Sequence, residues 1–179
     1  GACVEACVWK ERVPSEFEAG MGKRNAIYIP FAQAIPLKAV VDAQSCLFLA
    51  REGRCKQKCV TACERGAIDF EQKEEFVELD VGTIIVATGF QVFDAAQLPE
   101  YNYGKSPNII DGLQFERLSS ATGPTGGEIL TAEGEVPERV AIIHCVGSRD
   151  ERANRYCSRV CCMYACLLYT SPSPRDRQK

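Results

Sequence analysis

The chain is 179 residues long, with 46% hydrophobic and 25% charged residues and a formal net charge of −3. Such a length holds one or two domains, and the slightly acidic balance supplies no basic field of the kind that draws in nucleic acid. No apolar run approaches the roughly 18 residues of a membrane span, and the N-terminus Gly-Ala-Cys-Val-Glu has no signal-peptide core, so a cytoplasmic protein without a membrane span is expected.

Residues 2–70 are rich in cysteine and turn residues, with Pro14, Pro30, Pro36, Gly20, Gly22 and Gly53 interrupting short apolar runs such as Ala26-Ile27-Tyr28-Ile29. This predicts a small cluster-binding module over residues 1–66. Ala67-Ile68-Asp69-Phe70 and Phe76-Val77-Glu78-Leu79 alternate on either side of the charged turn 71–75 and predict a β-hairpin with one wet face. Thr83–Ala87 reads as a buried parallel strand, apolar on both faces, that ends in a tight turn at Thr88-Gly89.

Residues 93–137 read as loop, with one short helix at about Leu113–Ser120. Gly123–Gly127 lacks the lysine and the preceding strand of a phosphate-binding loop and reads as a plain turn. Arg139–His144 is a second buried-type strand, and it runs straight into Cys145, at the strand end where open α/β sheets place ligands. His144, the chain's one histidine, reads as a structural hydrogen bonder. Ser158–Leu168 predicts a helix with Ser158 as its N-cap. Residues 67–168 therefore read as a partial α/β domain. Residues 169–179, polar and broken by proline, predict a disordered tail, and from Cys166 onward the chain reads as foreign to the natural protein.

Eleven cysteines fall in three groups: Cys3 and Cys7; Cys46, Cys55, Cys59 and Cys63; and Cys145, Cys157, Cys161, Cys162 and Cys166. Disulfide scaffolds are usually short and core-poor, whereas this chain is long enough for an ordinary core, so metal ligation in a reducing setting is the better reading. In Cys46-x8-Cys55-x3-Cys59-x3-Cys63, four thiolates are spaced to converge on one centre, and iron-sulfur clusters use such sets.

In two-cluster ferredoxin modules the last cysteine of each motif serves the other cluster. On that pattern Cys46, Cys55, Cys59 and Cys7 hold one cluster. Cys3 and Cys63 serve a second, whose remaining ligands would precede residue 1. A structural zinc site is the alternative, since four thiolates also suit tetrahedral zinc. Cys145, Cys157, Cys161 and Cys162 form a further candidate set; adjacent cysteines on a helix point about 100° apart, and buried thiols packed as small hydrophobes are the alternative there.

Five segments, taken in order, are similar to the A subunit of CoB-CoM heterodisulfide reductase: residues Gly22–Phe31, Gly66–Gln72, Ile84–Gly89, Cys145–Asp150 and Tyr156–Ala165. The resemblance spans roughly residues 2 to 165. It implies a partial α/β flavoprotein core of the thioredoxin-reductase type, with an inserted α+β two-cluster ferredoxin-like module. It further implies FAD approached by Ala87, Thr88 and Gly89, two ferredoxin-like 4Fe-4S clusters, and one additional 4Fe-4S cluster on Cys145, Cys157, Cys161 and Cys162.

The implied role is electron transfer within an oxidoreductase complex, with flavin-based bifurcation as a finer possibility. The implied partners are the other reductase subunits, ferredoxin, and a hydrogenase or dehydrogenase subunit that donates electrons. No side chain reads as an acid-base catalyst, as suits chemistry carried by cofactors. A stand-alone polyferredoxin carrier is the other electron-transfer reading, and a zinc-stabilised interaction module the structural one.

Overall fold

A computed structural model describes residues 1–51 and 53–170. The chain divides into two units, Gly1–Val86 and Ala87–Lys179.

The first unit opens with a single helical turn, α1 (Ala2–Glu5), and two short antiparallel ribbons follow. β1 (Val13–Pro14) pairs with β2 (Lys23–Arg24), Val13 opposite Arg24. Their connection closes when the Gly20 amide reaches the Ser15 carbonyl at 2.9 Å. Gly20 has φ +80°, a left-handed conformation that a residue without Cβ adopts at no steric cost. β3 (Ile27–Tyr28) pairs with β4 (Val40–Val41), Ile27 opposite Val41.

Arg24 fastens the two ribbons together. Its side chain forms a fork with Glu16 at 2.5 and 2.6 Å, reaches Asp42 at 3.1 Å, and lies 3.9 Å from the centre of the Tyr28 ring. The buried core of this unit is small: Cys7, Ala26 and Ile27, with Cys3, Trp9, Val41, Cys46, Cys59 and Ile68 packed around them.

Two more single-turn helices complete the unit, α2 (Leu47–Ala50) and α3 (Lys58–Thr61). Beyond them the predicted hairpin does not form. Residues 67–79 carry no paired strand, and Phe76 is 92% exposed. The predicted strands Thr83–Ala87 and Arg139–His144 are likewise unpaired, with Ile85 86% exposed. A strand needs a neighbour to accept its backbone hydrogen bonds, and among the described residues no strand runs beside these segments.

In the second unit, two 3-10 turns (Ala95–Gln97 and Pro99–Tyr101) bury Leu98. The predicted short helix is present as α4 (Gly112–Ser119). Asp111 caps it: its carboxylate accepts from the Gln114 amide at 2.9 Å while the Gln114 side chain accepts from the Asp111 amide at 3.0 Å. The Gly-rich stretch after α4 is a tight turn packed back on the helix, where Thr125 donates to the Leu118 carbonyl.

The last helix, α5, runs over Cys161–Thr170. It starts three residues later than predicted and extends through Tyr169 and Thr170, where a disordered tail was expected. The rest of that tail, residues 171–179, lies outside the described residues. The Tyr164 hydroxyl fixes α5 against α4 by donating to the Glu116 carboxylate and the Gly112 carbonyl. Burial of Tyr164, with the Glu116 carboxylate beside it, raises its phenol above the ordinary value. Among the described residues, no helix is long and apolar enough to cross a membrane.

Candidate metal centres

Local chemistry delivers each cysteine of the first unit. Asp42 ends β4, and its carboxylate accepts from the amides of Gln44 at 3.0 Å and Ser45 at 3.2 Å. That side-chain turn brings the Cys46 amide to the Asp42 carbonyl at 2.8 Å and sets Cys46 at the N-cap of α2. Burial works to raise the Asp42 carboxyl, but hydrogen bonds from Ser45, Arg24 and Gln44 outweigh it and hold the group below its ordinary value.

Gln57, in a left-handed conformation at φ +50°, starts α3 and so presents Cys59. Cys63 follows that helix, and its Sγ accepts from the Ala67 amide at 3.4 Å.

α1 and α3 are copies of one device. Each carries its first cysteine at the second helical position, Cys3 and Cys59, and each ends on an alanine with nearly the same backbone angles: Ala6 at φ −77°, ψ −8° and Ala62 at φ −79°, ψ −9°. The second cysteine follows directly, Cys7 and Cys63, and in both its amide bonds to the valine carbonyl three residues back. The signal was in the sequence as the repeat Cys-Val-x-Ala-Cys, at 3–7 and again at 59–63. Reading cysteine spacing alone missed it.

Cys7, Cys46, Cys55 and Cys59, from three stretches of chain, line one cavity together with Trp9, Ala26, Ile27, Val41, Phe48 and Phe70. Nearly all of its wall is apolar carbon. The Phe48 and Phe70 rings meet there at 4.9 Å between centroids. Burial pushes the Cys59 thiol up, and the neighbouring Cys55 and Cys7 push the same way. The free cavity holds only about 20 Å³, about one water, so a larger group needs the cysteine-bearing turns to part.

Among the described residues, no three thiol, carboxylate or imidazole side chains converge as a single bound metal ion requires. The donor set still suits a cluster, which is bulkier than one ion and spreads its thiolates over its corners. Thiolates in an apolar, nearly dry surround are the ligands iron-sulfur clusters take. Cys3 is half-buried on α1 and Cys63 half-buried after α3; neither lines this cavity.

In the second unit Cys145 is half-buried, and Cys157, Cys161, Cys162 and Cys166 are exposed. The loop between Cys145 and Cys157 is knitted by bonds from the Arg149 amide to the Tyr156 carbonyl at 3.1 Å, the Asp150 amide to the Asn154 carbonyl at 3.0 Å, and the Asn154 side chain to the Gly147 carbonyl at 2.9 Å. Two sulfurs have polar partners: Cys157 accepts from the Arg159 amide at 3.3 Å, and Cys161 lies 2.9 Å from the Ser158 hydroxyl. Ser158 was expected to cap the helix backbone; it bonds to a cysteine sulfur instead. His144 is exposed and has no hydrogen-bond partner among the described residues.

Ala87, Thr88 and Gly89 are exposed and outside any strand. Gly89 has φ +73°, and a Cβ there would meet open space.

No family model matches the chain. Curated proteins do. The chain is 49% identical over 166 residues to the A subunit of H(2):CoB-CoM heterodisulfide,ferredoxin reductase of Methanothermobacter marburgensis, a match that covers 92% of this chain and 24% of that protein. It is 48% identical, over 92% of this chain and 24% of the relative, to the iron-sulfur A subunit of CoB--CoM heterodisulfide reductase of Methanocaldococcus jannaschii. It is 42% identical to a protein of Archaeoglobus profundus named as like the A subunit of heterodisulfide reductase, over 92% of this chain and 28% of the relative. The chain thus spans about a quarter of the length of the curated relatives it matches. Over that quarter, with its cysteine groups in the frame just described, it belongs to the heterodisulfide reductase A-subunit family.

Proposed function

We propose that the protein containing this chain is an electron-transfer subunit of a heterodisulfide-reductase-type oxidoreductase, and that this stretch supplies part of its iron-sulfur wire. The observation that carries the reading is the meeting of Cys7, Cys46, Cys55 and Cys59 at one apolar cavity. These four would hold one 4Fe-4S cluster. Cys3 and Cys63, set by the duplicated helix turns, would contribute to a second. Cys145, Cys157, Cys161 and Cys162 would hold a third. Bound clusters supply one-electron chemistry; the chain's own part is to shield them from water and to donate hydrogen bonds to sulfur, as Ala67 does to Cys63 and Arg159 to Cys157.

FAD at Ala87-Thr88-Gly89, bifurcation, a cytoplasmic location, and partnership with other reductase subunits, with ferredoxin and with a hydrogenase or dehydrogenase subunit belong to the same proposal. They rest on the family. The sheet-bearing flavoprotein core and the two-cluster module are likewise proposed, the second with support from the α1 and α3 repeat. Four thiolates also suit a structural zinc ion, and metal and sulfide content decide between zinc and the cluster.

The test is anaerobic purification of the full-length protein, with iron, acid-labile sulfide and zinc quantified beside an EPR spectrum of the reduced sample. Cys59→Ala should remove about four irons with matching sulfide, the content of one four-cysteine cluster site. Zinc without sulfide overturns the reading.

A further inference from the structure

A second, open pocket lies on the other side of Cys7. It is lined by Glu5, Ala6, Val8, Lys10, Arg12 and Lys58 in addition to Cys7. Cys7, Ala6, Val8 and Lys58 also line the cysteine cavity, so the Cys7 segment is the wall between the two.

Three cations stand against one carboxylate in this pocket, in a chain whose formal net charge is −3. The pocket's lining is therefore positive although the chain as a whole is slightly acidic. The positive charge extends further: Arg12 lies 4.5 Å from the centre of the Trp9 ring and Arg51 lies 6.0 Å from it. Trp9, which lines the cysteine cavity, thus has both guanidinium groups against its ring. Lys10, Arg12, Lys58 and Arg51 are all exposed.

We infer that this basic rim is where an acidic one-electron carrier protein docks, with Cys7 as the point of electron passage. Electron transfer between proteins weakens steeply with distance, so a partner must approach a cluster ligand closely, and Cys7 separates the cluster cavity from solvent on this side. Complementary charge suits such an approach, because it acts mainly on association rate and direction while letting the complex separate after transfer. The inference rests on the proposed cluster at Cys7, Cys46, Cys55 and Cys59, and deepens it by naming the surface and the chemistry of the partner.

The experiment uses the cluster-loaded full-length protein, with a reduced acidic two-cluster ferredoxin as the probe. The second-order rate of electron transfer should fall steeply as salt rises. At low ionic strength, Lys10→Glu/Arg12→Glu should slow it by about tenfold or more, within the range electrostatic steering supplies, while Lys38→Glu, away from this pocket, should not. Reduction by methyl viologen, a cation, should not be slowed by the double variant.

A rate independent of salt in the unmodified protein overturns the docking surface without requiring any variant to fold. Equal slowing with ferredoxin and methyl viologen overturns it too, since the residues would then act on the cluster. So does inhibition by pyrophosphate beyond that of chloride at equal ionic strength, which would mark a small-anion pocket. Iron content separates the two proposals: no iron in the unmodified protein sinks the cluster, whereas full iron with no salt dependence sinks only the docking.

Discussion

Asn25 donates its side-chain amide to the Val4 carbonyl at 2.8 Å, and that bond joins the turn carrying Cys3 and Cys7 to the ribbon carrying Ala26 and Ile27. The same side chain accepts from the Glu11 amide at 2.8 Å. Asn25→Ala removes both, leaving the exposed Glu11 amide to water and the Val4 carbonyl with the Cys7 amide alone. The expected cost is about 1–3 kcal/mol, read as a lowered urea midpoint, with faster loss of iron from the Cys7 site on dilution. An unchanged midpoint would mean that α1 is held by other contacts.

Arg24 makes a pH prediction with a definite sign. Its guanidinium, by hydrogen bond and charge, holds the Glu16 carboxyl below its ordinary value of 4.5, and its bond to Asp42 helps hold that group below 3.8. Lowered folded-state values mean that the stabilisation is complete above the ordinary values and is lost as pH falls through them toward the depressed ones. Arg24→Gln should therefore be less stable than the unmodified protein at pH 7, and the gap should narrow as pH drops below about 4. Denaturant midpoints of the two proteins across this range check it; a gap that stays constant with pH would assign the loss to packing over Tyr28.

Asp111 caps α4 and also accepts from the Tyr103 hydroxyl at 3.0 Å. Asp111→Ala should cost about 1 kcal/mol, and at most about 2. Asp111→Asn, which keeps an acceptor at the cap, should recover most of it. Thermal unfolding followed by circular dichroism distinguishes the three proteins.

Gly147 tests the third cysteine group through the backbone. Its φ is +71°, and a Cβ there would overlap the Phe93 ring. Gly147→Ala should cost about 1–2 kcal/mol from the left-handed conformation alone, and more from displacement of the Phe93 ring or of the loop between Cys145 and Cys157. If those cysteines hold a cluster, the variant should lose about four irons while the Cys7 site keeps its own. Full iron retention would separate the loop from metal binding.

What could be read of the first unit was its cysteine spacing, a local signal, whereas the hairpin expected at 67–79 in the same unit does not form. Cys46, Cys55 and Cys59 were grouped with Cys7 from spacing and a known crossing pattern, and all four line one cavity. The short helix near Leu113 was legible for the same reason, since an Asp111 cap and a Gln114 partner need nothing from elsewhere in the chain. The strands at Thr83–Ala87 and Arg139–His144 show the opposite case. Val86 and Ile143 have the apolar character of a buried sheet, but sheet formation depends on neighbours, and the described residues offer these segments none. Ser158 was misread because a serine next to cysteines has a choice of partner that a serine before an ordinary helix lacks.

The innermost residues of the first unit are a thiol, an alanine and one isoleucine. So slight an interior leaves little to oppose the entropy of the unfolded chain, and a bound cluster would contribute directly to folding, as structural metals do in other small domains. Oxygen or a chelator would then act on this protein as a denaturant. A cell short of iron or sulfide would be expected to degrade the chain rather than accumulate it in an empty form, so its abundance would follow cluster supply.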